Sequence, residues 1–108
     1  MTPLEIQQAI AELIAENQRG ANALFESEKA LAEAEYELDT IEQKAFLKAE
    51  GTVKDREAIA RLESAEKRLQ RDLRRAEHQR IKVKIKAIEI GIMALATQAK
   101  LVQSEARI

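Results

Sequence analysis

Apolar side chains recur every three or four residues almost from the start of the chain. Ile6, Ile10, Leu13, Leu24, Leu31, Leu38 and Ile41 share one line with Ala34 and Ala45, which is the spacing of a coiled-coil seam. Asn17, Gly20 and Ser27 hold the same line where an apolar side chain is missing. The spacing predicts one helix over about residues 3–49. Thr2-Pro3-Leu4-Glu5 marks its start: the Thr2 hydroxyl accepts from an orphan backbone N–H, Glu5 reaches back, and Pro3 takes the first helical position, where its missing N–H costs nothing. A kink or weak point is expected near Gly20, because glycine within a helix costs about 1 kcal/mol relative to alanine.

Glu50-Gly51-Thr52-Val53-Lys54-Asp55 interrupts this pattern. Gly51 is expected to close the first helix in a left-handed conformation, Thr52 to cap the next, and Asp55 to stand at its third position. Lys44 and Lys48 lie near the end of the first helix, where cations complement its dipole. A turn confined to residues 50–52 makes the two helices antiparallel neighbours.

The second helix is predicted over about residues 53–106. Its first half places Ile59, Leu62, Leu69, Leu73 and Ala76 at seam spacing. Beyond residue 80 two apolar lines run along the same helix. Ile81, Ile85, Ile88, Ile92, Leu95, Ala99 and Val102 form one; Val83, Ala87, Ile90, Ala94 and Leu101 form the other, on the opposite side. A helix that is apolar on two sides must be covered on two sides. The first helix covers one, and a second protomer is the simplest cover for the other. The expected architecture is therefore an all-α single domain over residues 1–108, two long helices in an antiparallel hairpin or coiled coil, assembled into a homo-oligomer through Val83, Ile90 and Leu101. Ile81-Lys82-Val83-Lys84-Ile85-Lys86 also alternates with period two, so a strand remains an alternative there.

Composition agrees with helices and removes several function classes. Charged residues make up 34% of the 108 positions and aromatics only 3%, with three glycines and one proline. Much of the apolar content is alanine, which buries little area per residue and suits a thin seam between helices. With no cysteine, disulfides and thiolate metal sites are excluded. No apolar stretch approaches the roughly 20 residues of a membrane span, and Glu5, Glu12 and Glu16 interrupt any signal-peptide pattern. A cytoplasmic location is expected (the host cytoplasm if the chain is phage-encoded), with no membrane partner.

Enzyme signals are nearly absent, so no catalytic residue, metal or cofactor is expected. His78 is the only histidine and reads as a surface or interfacial side chain. Ser27, Ser64 and Ser104 lie in helical stretches without a nucleophile-elbow context. Glu33, Glu35, Glu37 and Asp39 alternate and so fan round a helix without converging on a metal.

Charge is segregated along the chain. Residues 1–51 hold 4 Lys or Arg against 11 Asp or Glu, a balance of −7, whereas residues 52–108 hold 14 against 8, a balance of +6. Acidic and basic helices flanking one another in the hairpin account for this without a ligand. Arg68, Arg71, Arg75, Lys82 and Lys86 nevertheless recur along one helical stripe, and such a stripe can track a phosphate backbone with salt-sensitive affinity.

The runs Glu33-Ala-Glu-Tyr-Glu-Leu38 and Glu42-Gln-Lys-Ala-Phe-Leu-Lys-Ala-Glu-Gly-Thr-Val-Lys-Asp-Arg-Glu57, followed by the Ile-rich helix and its Gln103-Ser104-Glu105 end, resemble small helical proteins of bacteriophage and prophage early or recombination regions. The order of parts over residues 33–105 is similar to that of UvsY-type recombination mediators. That resemblance implies an oligomer that binds single-stranded DNA and helps load a recombinase. The alternative expectation is a structural or adaptor coiled coil, such as an assembly chaperone, whose apolar lines bind protein partners without nucleic acid.

Overall fold

The computed structural model describes residues 1–106. Among these, all regular structure is helical: α1 spans Pro3–Lys48, α2 Val53–Glu63 and α3 Ala65–Ala106. The predicted hydroxyl caps are in place at Thr2 and Thr52. The Glu5 N–H donates to the Thr2 hydroxyl at 3.2 Å. Thr52 and Asp55 exchange hydrogen bonds in a complete capping box, at 3.2 and 3.3 Å. Gly51 has φ +113°, a backbone conformation that a side chain would strain.

One part of the turn lay outside the sequence pattern. Arg56 donates from Nε and Nη2 to the Phe46 carbonyl at 3.1 and 3.0 Å, and its guanidinium lies 4.3 Å from the centre of the Phe46 ring. A carbonyl near the end of α1 thus gains a charge-assisted partner, and the same cation stacks on an aromatic face.

The second half of the chain is two helices where the sequence predicted one. The interruption falls at Ser64, which is fully buried. Its hydroxyl donates to the Arg61 carbonyl at 3.3 Å, and the Arg68 guanidinium reaches both that carbonyl and the Ser64 hydroxyl, at 3.2 and 3.1 Å. A serine bonded back to the preceding turn competes with the helical ladder and bends it locally. The bend is confined, because the Ser64 and Arg68 N–H groups still bond four residues back at 3.0 and 2.9 Å.

The chain forms two compact units. The first combines Met1–Leu24 with Arg80–Ile108. Ile6 and Ile88 are buried in it, and Ile10, Leu13, Ile81, Ile85, Ile92 and Leu95 are half-buried. The helices run antiparallel here, since Leu13 lies beside Gly91 and Gly20 beside Ile85. The helix is not interrupted at Gly20, which lies inside α1. A Cβ built there would stand 3.0 Å from Ile85 Cγ1, so the missing side chain permits a close approach. The stretch 81–86 is helical. Its period-two alternation arises because Ile81 and Ile85 belong to the inner line and Val83 to the outer one.

The second unit is Phe25–Gln79. From α1 it buries Ser27, Leu38 and Ala45, the predicted seam, and opposite them it buries Ala60 and Ser64. The expectation for α2 and early α3 is overturned. Leu62, Leu69 and Leu73 are 78%, 59% and 60% exposed, and Ile59 and Ala76 also face solvent. The line facing α1 is instead Ala60, Ser64, Lys67, Arg71 and His78, none of which is exposed. Along this stretch the α1 seam of Ser27, Leu31, Ala34, Leu38, Ile41 and Ala45 is flanked by Glu35, Glu37 and Glu42, which meet Arg75, Lys67 and Arg68 of the facing helix.

Candidate helix-pairing surface

The long second half of the chain carries two lines two residues apart in sequence, hence about 200° apart round a helix. In the first unit the inner line packs on α1 and the outer line is open: Val83, Ala87, Ile90, Ala94 and Leu101 are all exposed. Each predicted interface residue, Val83, Ile90 and Leu101, lies on this open face. The difference between the lines is sharp, since Ile88 is 7% exposed and Ile90 is 57% exposed.

In the second unit the outward leucines, Leu62, Leu69 and Leu73, with Ala76, keep the heptad phase of Val83 and Ile90. Sequence reasoning assigned them to the hairpin interior. Their phase was the available signal: steps of seven from Leu62 lead through Leu69, Ala76 and Val83 to Ile90, whereas the inner line is offset by two. Isolated exposed apolar residues are common on soluble proteins, but a run at heptad spacing has the form of a helix-pairing surface.

The five cations expected to share a phosphate-binding stripe are used differently. In the second unit Arg68 bonds Glu42 at 3.2 Å and Arg75 pairs with Glu35 at 3.6 Å. Lys67, on the other flank, meets Glu37 at 3.2 Å, and Arg71 turns to its neighbour Asp72 at 2.7 Å. The pairs of Lys67, Arg68 and Arg75 join basic α3 to acidic α1, and being partly exposed each contributes modestly. In the first unit Lys82 and Lys86 are exposed and take part in no ion pair among the described residues.

His78 is half-buried between the helices, its Nδ1 3.0 Å from the Ser27 hydroxyl. This pair fills a seam position with a satisfied polar contact. Among the described residues no three His, Asp or Glu side chains converge as metal ligands would, and no helix is long and apolar enough to cross a membrane. Asp39, Glu42, Gln43 and Glu57 line a depression together with Phe46, Leu47 and Ala60, and among the described residues its carboxylates do not gather into a metal-holding group.

No protein-family model, no curated relative and no solved structure matches this chain. The class defined by the fold is an all-helical protein of antiparallel coiled-coil type, with a second heptad line on its outer face.

Proposed function

We propose that the chain is a non-enzymatic, self-associating helical element, acting as a structural or adaptor coiled coil. The observation that carries this reading is the outer line itself. Val83, Ile90 and Leu101 are exposed at heptad spacing on a helix whose opposite side is already packed. Water is a poor neighbour for such a face, and a further helix of matching phase removes it from solvent. Replacing Val83 and Ile90 together with glutamate is expected to lower the mass measured by light scattering, with far-UV helicity retained. A native protein that sediments as a monomer at all concentrations overturns the reading.

A second reading is single-stranded DNA binding in recombination, with a recombinase or other protein as partner. It draws support from the exposed Lys82 and Lys86, and from the resemblance to phage recombination proteins. Arg68, Arg71 and Arg75 would have to leave their present carboxylate partners to contribute. In a gel-shift titration, reversing Lys82 and Lys86 to glutamate is expected to weaken binding, and wild-type affinity should fall steeply between low and moderate salt. An absence of salt-sensitive binding at micromolar protein removes this reading and leaves the first untouched.

A further inference from the structure

We infer that self-association is heterologous: the outer line of α3 in the first unit seats on an acidic, aromatic-bearing face of α1 in the second unit of another copy. This rests on the self-association reading and adds the face that the outer line meets.

Phe25, Tyr36 and Leu47 stand eleven residues apart along α1. Eleven residues carry a helix about 20° past three full turns, so the three share one side. Each lies two positions from a buried seam residue, Ser27, Leu38 and Ala45 respectively, which puts that side about 200° from the seam. They are 62%, 73% and 74% exposed. Phe25 and Tyr36 are two of the three aromatics in the chain, and aromatic side chains are enriched at the centres of protein interfaces.

Charge chooses the partner. Glu35, Glu37 and Glu42 of α1 are taken up by Arg75, Lys67 and Arg68 within the second unit. Glu26, Glu28, Glu33 and Asp39 lie exposed on the flanks of the line of Phe25 and Tyr36, and take part in no ion pair among the described residues. Lys29 and Lys44 offset only part of their charge. The outer line of α3 is the reverse case. Lys84 flanks Val83 and Ala87 on one side, with Lys82 and Lys86 on the other. All three lysines are exposed and take part in no ion pair among the described residues. Two α3 faces brought together would set lysines near lysines, which repel, whereas the α1 face offers apolar side chains with carboxylates beside them. Its far end reaches the depression that Phe46 and Leu47 share with Asp39 and Glu57, a combination that suits the methylene stem and ammonium group of a lysine. Because the two faces differ, each copy offers one of each, and contacts form either reciprocally between two copies or onward to a third.

Charge reversal on each face tests this. One variant carries Glu28→Lys and Glu33→Lys, the other Lys84→Glu and Lys86→Glu, all at exposed positions, with helicity checked by circular dichroism. Each variant alone is expected to associate about tenfold or more weakly than wild type in sedimentation. Mixed together, the two should regain association, since each reversed face then meets its complement. A single chain with all four substitutions should associate as wild type does. Phe25→Ser with Tyr36→Ser, which touches no charge, should weaken association as well. An α1-face variant that associates as wild type does overturns the inference and leaves α3 pairing with α3. A mixture of helical variants that stays dissociated overturns it too. A wild-type protein that is monomeric at all concentrations removes both this inference and the reading beneath it, leaving the two faces to a different partner.

Discussion

Ile88→Ala is expected to destabilise the protein by about 2–5 kcal/mol, whereas Ile90→Ala, two positions along the same helix, leaves the hairpin within about 0.5 kcal/mol of wild type. The residues are chemically identical, so the contrast isolates the face each occupies. Ile88 is buried against α1 in the first unit, and its truncation leaves a cavity that the seam cannot fully close. For a chain of this length the loss corresponds to a fall in thermal midpoint of about 10 °C or more. Ile90 loses only what its outward contacts supply. On the proposed pairing, Ile90→Ala lowers the midpoint at high protein concentration, and the deficit fades on dilution, because coupling to association depends on concentration. The deficit of Ile88→Ala persists at every concentration. Thermal melts across a hundredfold dilution series distinguish the two. Equal, concentration-independent losses would mean that both faces are interior and would refute the two-line description.

Gly20→Leu should cost about 1–3 kcal/mol, read as a lower urea midpoint with an unchanged slope, while Gly20→Ala should fall within about 1 kcal/mol of wild type. Two opposing effects meet at this position. Alanine is worth up to about 1 kcal/mol more than glycine inside a helix. Its Cβ, however, would stand 3.0 Å from Ile85 Cγ1 and 3.5 Å from Ile85 Cδ1, so Ile85 has to yield. A leucine cannot be admitted by a small shift. At Gly91 the nearest obstacle to a Cβ is Leu13 Cδ1 at 3.3 Å, the mobile end of a side chain, so Gly91→Ala is the milder change and serves as a control. A Gly20→Leu variant as stable as wild type would show that the helices are farther apart here than described.

The register of α1 was legible almost residue by residue. Even Asn17, Gly20 and Ser27, which break the apolar pattern, lie on the side turned away from solvent. The reason is local: heptad phase is a property of a single helix, and caps and turns are written in adjacent residues. Thr2, Gly51, Thr52 and Asp55 were recognisable for the same reason. Ser64 was not, because a serine within a helical pattern bends the chain only when its surroundings bury it and a cation such as Arg68 secures the freed carbonyl. Arg56 was missed likewise, since its grip on Phe46 spans the turn.

The sequence by itself determined the helical stretches and the turn between them, the phase of every apolar line, and the presence of two such lines past residue 80, but not the break at Ser64. Only the tertiary structure decided which line of residues 59–78 faces α1. Periodicity states which residues share a side of a helix but not which side receives a neighbour, and by hydrophobicity alone Leu62, Leu69 and Leu73 had the stronger claim. The acidic flanks of α1, through Glu35, Glu37 and Glu42, drew Arg75, Lys67 and Arg68 towards them instead. With those cations on the side that meets α1, Leu62, Leu69 and Leu73 face outward within the second unit.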